Sequence, residues 1–177
     1  MTWTDLITQG IEENYRVTDA LMAMVGDADL GWKPAPGSNW MTTGQLLMHL
    51  TSACGLCCKG FVTGDWGMPE GVSYEDIPAE EMLPQAEALP TVESVAEARR
   101  LLAADRELAL RMIEEAGEER LATEMSRAPW ASSDCGESSL GEHLYGMVLH
   151  LMAHKNQLFY YLKLQGKDVN TMHLWGM

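Results

Sequence analysis

Positive charge is scarce in this chain: 12 Lys and Arg stand against 26 Asp and Glu, a formal net charge of -14. The few basic residues form no cluster that would neutralise a phosphate backbone, so nucleic acid is excluded as a partner. Well-spaced cysteines are also missing. Of four in all, Cys54, Cys57 and Cys58 crowd into "CGLCCKG", and Cys135 stands alone in a Trp- and Ser-rich loop. Such spacing gives no disulfide framework and points to reduced thiols in a cytosolic protein. Strand patterns and repeats of fixed period are absent. The N-terminal "MTWTDLITQGIEENYRV" has no positive n-region, and no apolar run is long enough to span a bilayer. These absences predict a soluble, cytoplasmic chain with no membrane partner.

What is present is helical periodicity. The length of 177 residues suits one domain, 1–177, able to bury a core without disulfides. Thr2 and Asp5 are spaced as a capping box, and Leu6, Ile7, Ile11, Tyr15, Thr18, Leu21, Met22 and Val25 predict a first helix over Thr4 to Val25. Thr42 and Gln45 open a second, continuous to about Val62. Residues 64–90, rich in Pro, Gly, Asp and Glu, form a long crossover with at most a short helix near Glu80 to Glu87. Thr91 caps a third helix that Gly117 ends, its outer face laced with opposite charges. Ser139 and Glu142 box the start of a fourth, from Leu140 to about Gln165, stopped by Gly166. The fold class predicted is all-α, a four-helix bundle with a long crossover between helices 2 and 3. Thirteen methionines suggest an adaptable core.

Five histidines are present. A lone helical histidine is most simply a hydrogen-bonded core residue, so only a pattern argues for more. His150 and His154 lie four apart, about 40° in azimuth and about 6 Å along the axis, near enough to reach one ion. His143 shares their face but stands about 16 Å from His154 along the axis, so it is left to line the cavity. His49, from a different helix with Leu46, Met48, Leu50 and Ala53 around it, is the candidate third ligand. Three imidazoles leave the fourth position of a tetrahedral ion open, as catalytic sites do. Leu151 after His150 rules out the zincin pattern, and no Glu has a His three residues on, which rules out a di-iron carboxylate bundle.

The stretches "LGWKPAPGSNWMTTGQLLMHL" and "HLMAHKNQLFYYLKLQG" resemble the DinB/YfiT-like superfamily, four-helix bundles that hold a divalent ion with three histidines. The first is similar to its Trp-x-Pro loop leading into the helix of the first histidine, the second to its closing histidine pair, basic residue, glutamine and final glycine. The resemblance covers nearly the whole chain. It implies that His49, His150 and His154 are the metal triad and that Gln157 is the family glutamine, while Asn156 stands where the family commonly has glycine. It also implies a stress-associated enzyme, a thiol-dependent S-transferase or isomerase acting on a small electrophile. The cofactors are then a divalent ion (Zn foremost, with Ni, Fe or Mn open) and a low-molecular-weight thiol. Two alternatives stand beside it: a metal-dependent hydrolase using bound hydroxide, and a non-catalytic binding or scaffold protein. The partner expected is a small molecule, with a homodimer also open.

Other features have plainer readings. Cys54 and Cys57 form a CxxC in mid-helix and are expected to be inert core thiols. Trp32, Trp40 and Trp130 either plug the bundle ends or wall a substrate pocket, with Trp40 and Trp130 taken as pocket residues beside His143 and Gln157. Phe159, Tyr160 and Tyr161 are expected in core and interface. Asp65, Glu70 and Asp76 are left open as carboxylates that the crossover brings to the metal.

Overall fold

The computed structural model describes residues 1–69, 77, 85–131 and 134–177. Its architecture is all-α, as the periodicities predict. Helix α1 (Trp3–Met22) starts on the Thr2/Asp5 capping box and buries Ile7, Ile11, Tyr15, Thr18, Leu21 and Met22, the three- and four-residue spacing of one apolar face. Helix α5 (Leu140–Leu164) opens on the Ser139/Glu142 box and stops before Gly166, whose φ of 77° ends the regular helix. Between them lie α2 (Thr43–Leu50), α3 (Gly55–Thr63) and α4 (Val95–Thr123). Helix α1 packs on α4 and α5, α3 packs on the same two, and α2 rests on α5.

The second helix differs from expectation: it is two helices, broken over residues 51–54. Local competition begins the break, because Thr51 Oγ1 donates to the Met48 carbonyl and Ser52 Oγ to that of His49. A distant residue completes it. Asp105 of α4 accepts from the Gly55 and Leu56 N–H groups, 2.9 Å each, and so caps the start of α3 from outside. Gly55 is required there, since a Cβ would fall 2.1 Å from the Asp105 carbonyl oxygen. The whole Thr43–Thr63 stretch is, by length and composition, apolar enough to cross a bilayer, contrary to expectation. In the fold it is interrupted, and Leu46, Leu47, Leu50, Cys54, Cys58 and Val62 are buried in the core.

Smaller departures have local causes. Helix α4 is capped by Ser94, whose side chain accepts from Glu97 N–H, rather than by Thr91. Gly117 breaks it with a φ of 67°, but the chain resumes helix as far as Thr123. Two-residue strands, β1 (Met125–Ser126) and β2 (Ser138–Ser139), pair antiparallel where no strand was expected. A short α6 (Thr171–Trp175) was not foreseen; Arg16 and Lys155 donate to the Gly176 and Leu174 carbonyls and hold it against the body. The charges of α4 reach α1 through Arg99–Asp19 and Arg106–Glu12 pairs. The short helix expected near Glu80 to Glu87 lies mostly outside the described residues, with one 3₁₀ turn at Ala86–Ala88.

Asp105 is buried, and Tyr15 Oη donates to it at 2.6 Å. Replacing it with alanine leaves three donors without acceptors, so Asp105→Ala is expected to lower the unfolding free energy by roughly 3 kcal/mol. Urea denaturation measures this; a loss within error of zero would mean that α3 does not need its cap. Burial raises the Asp105 pKa despite the hydrogen bonds that lower it. The folded chain therefore holds this proton more tightly than the unfolded one. Its contribution is greatest below the unfolded carboxylate value, about pH 4, and falls as pH rises through the folded value. The stability of the parent relative to Asp105→Asn is expected to decline across that window.

Candidate metal centre

His49 occupies the last turn of α2, and His150 and His154 face it from the middle of α5. Their Nε2 atoms converge: His49 to His150 is 3.3 Å and His154 to His150 is 3.1 Å. One ligand nitrogen from each falls within 4.8 Å of the others, and all three rings are half-buried. A tetrahedral ion with Zn–N bonds near 2.1 Å has ligand nitrogens about 3.4 Å apart, so this spacing suits one divalent ion. The three-histidine group can hold a metal.

The second nitrogens show which lone pairs face inward. His150 Nδ1 lies 3.0 Å from the Ala53 carbonyl oxygen. A carbonyl only accepts, so Nδ1 carries the hydrogen and Nε2 presents a lone pair. That carbonyl belongs to the break between α2 and α3. His154 Nδ1 lies 2.9 Å from Gln157 Oε1. The Gln157 amide is oriented in turn, because its Nε2 donates to Tyr161 Oη, which donates to the Met41 carbonyl at 2.9 Å. Met41 thereby orients Tyr161, Tyr161 orients Gln157, and Gln157 orients the His154 ring. Two lone pairs facing each other at 3.1 Å repel unless a cation lies between them, and outer partners of this kind are typical of histidine ligands. Burial, reinforced by His154 and His150, lowers His49 to about 4, and burial lowers His154 as well, so both imidazoles are neutral near pH 7.

The remaining residues singled out in the sequence separate into two places. His143 is not with the triad: its ring stacks on Phe61 at 4.4 Å, and its Nε2 lies 3.0 Å from the Ser126 carbonyl oxygen. Trp130 meets Phe61 and Trp66 edge-on at 5.6 Å in the same aromatic group. Trp40 instead lines a cavity of about 630 Å³ with Trp32, Tyr161 and Gln157. Among the described residues, no carboxylate joins the histidine group. Asp65 pairs with Lys59, and Glu70 and Asp76 lie outside the described residues. A larger hollow of about 730 Å³ between α1 and α4 holds none of the histidines.

Sequence reasoning missed Tyr161 and the Ala53 carbonyl. Tyr161 carried a weak signal, since it lies four residues after Gln157 on one helix face; the carbonyl carried none. Gln157→Ala is expected to weaken metal affinity about 10- to 100-fold, and Tyr161→Phe by less. Competition against a chromophoric chelator measures both, and an unchanged Gln157→Ala affinity would sink the relay.

The sequence model of the DinB superfamily matches residues 11–158, a span that includes all three histidines and Gln157. Neither a curated protein nor a solved structure matches the chain. The match covers most of the chain and runs through both helices that carry the histidines: the chain belongs to the DinB superfamily.

Proposed function

We propose that this chain is a divalent-metal-dependent enzyme that joins a small thiol to, or isomerises with its help, a small electrophile. The observation that carries the reading is the convergence of three imidazole Nε2 atoms from α2 and α5, two of them aimed inward by hydrogen bonds on their opposite nitrogens. His49, His150 and His154 would hold the ion. When bound, the metal supplies Lewis acidity that keeps a ligated thiol ionised at neutral pH.

Cys57 and Cys58 do not serve as that nucleophile. Burial pushes Cys57 up to about 12, and Cys58, buried against Cys54, is raised as well. A thiolate is the reactive form, so these two groups are inert, which supports a reading in which a free small molecule brings the sulfur. Half-burial of the triad thins the water around it and strengthens the electrostatic hold on an ionised sulfur. Zinc is the metal proposed, since imidazole suits it and the transfer needs no change of oxidation state.

Elemental analysis of protein purified without a histidine tag tests the site. The parent is expected to hold about one ion per chain, His49→Ala to lose it, and His143→Ala to keep it, its ring being engaged with Phe61 and Ser126. Turnover of a thiol-reactive electrophile should then require both the ion and added thiol. A parent that takes up no zinc, nickel, iron or manganese would end the reading; turnover without thiol would favour a hydrolase on the same ligands.

A further inference from the structure

The cavity beside Gln157 has a wall chemistry unlike the rest of the molecule. In a chain with a formal charge of -14, none of the residues lining it is charged. Trp32, Trp40, Tyr160 and Tyr161 supply rings, Leu164 and two prolines supply apolar edges, and only Asn156 and Gln157 bring amides. At about 630 Å³ it has the volume of a small-molecule site rather than of a packing defect.

Its walls are held in place before anything binds. The Trp32 and Trp40 rings stand edge-on to Tyr161 at 5.3 and 6.3 Å. Trp40 Nε1 donates to the Pro36 carbonyl at 2.7 Å and closes the loop on itself. Asn39, at a φ of 61°, accepts from Ala86 N–H and donates its own N–H to Glu87, so the far end of the crossover secures that loop. Even so, Trp40 is 37% exposed and Tyr160 60%. Large rings fixed open to water favour a flat partner that covers them.

The polar end distinguishes its two amides. Gln157 is already engaged at both ends, by His154 and Tyr161. The Asn156 side-chain amide makes no hydrogen bond to the described residues, so it offers a donor and an acceptor to the cavity.

From these observations we infer that the cavity seats the flat, uncharged aromatic ring of a small molecule bearing one hydrogen-bonding substituent, with Trp40, Tyr160 and Trp32 against the ring and Asn156 on the substituent. Calling that molecule the substrate's apolar part rests on the enzyme reading above; the binding itself does not. Ala153 and Gln157 flank His154 on α5, so an occupant sits one side chain from the histidine group.

The probe is 2-naphthol, titrated calorimetrically into the parent, Trp40→Ala, Tyr160→Ala, Asn156→Leu, Trp175→Ala and His49→Ala, with decahydro-2-naphthol as its saturated counterpart. Parent, Trp175→Ala and His49→Ala are expected to bind 2-naphthol alike. Trp40→Ala and Tyr160→Ala should bind about tenfold more weakly, Asn156→Leu several-fold more weakly, and the saturated alcohol about tenfold more weakly to the parent. No binding to the parent, or equal binding by Trp40→Ala, Tyr160→Ala and the parent, overturns the site. Equal affinity for the saturated alcohol overturns the aromatic class. A metal-free parent with the expected naphthol profile sinks the enzyme reading alone, whereas one ion per chain with no naphthol binding sinks this inference alone.

Discussion

The Asp105 carboxylate is where the fold and the site are joined. It lies buried on α4 and takes hydrogen bonds from Tyr15 on α1 and from the first N–H groups of α3. Through it three helices share one acceptor. By satisfying the exposed start of α3, it makes a break in the second helical stretch tolerable in a dry interior, where unpaired backbone groups are costly. The break turns the Ala53 carbonyl away from a helical ladder and toward His150. A continuous helix would engage that carbonyl within itself, and the histidine would lose the partner that selects its tautomer. A residue without any place in the histidine group thus helps to define the tautomer of one of its members.

The second histidine of α5 is governed by a different kind of chain. Met41 closes the loop before α2, yet its carbonyl decides how Tyr161 points, and from there how Gln157 and His154 are arranged. The two devices meet at the same pair of Nε2 atoms from opposite directions. Neutral imidazoles suit a half-buried site: burial and the repulsion of neighbouring positive rings favour the uncharged forms of His49 and His154, which are the ligating ones. The thiols follow the same rule with the opposite result, since burial keeps Cys57 protonated and unreactive, as the hydrogen bond with Cys54 and then burial do for Cys58.

Much of this was legible in the residues. The caps at Thr2, Thr42 and Ser139 stand where the spacing puts them, because a capping box is a contact across three residues and needs no distant partner. The His150 and His154 pair was legible for the same reason, and His49 followed from its apolar helix. Trp40 and Trp130 were not separable, since both are aromatic residues near helix starts; only the fold puts one against Tyr161 and the other against Phe61. The rise of the helix separated His143 from the triad, but the sequence left it to line the cavity, and its stack on Phe61 had no sequence signal.

By itself, then, the sequence determined the net acidic charge, and it determined most of the helices, their ends and the spacing of the His150 and His154 pair because these depend on contacts within one or two helical turns. Tertiary structure decided the break at residues 51–54, the tautomers and the uncharged cavity. Those depend on partners far apart along the chain: His150 and Ala53 are 97 residues apart, and Tyr161 and Met41 are 120. Periodicity carries no information about which carbonyl a side chain meets at that range, because the meeting is set by how whole helices pack rather than by any local spacing.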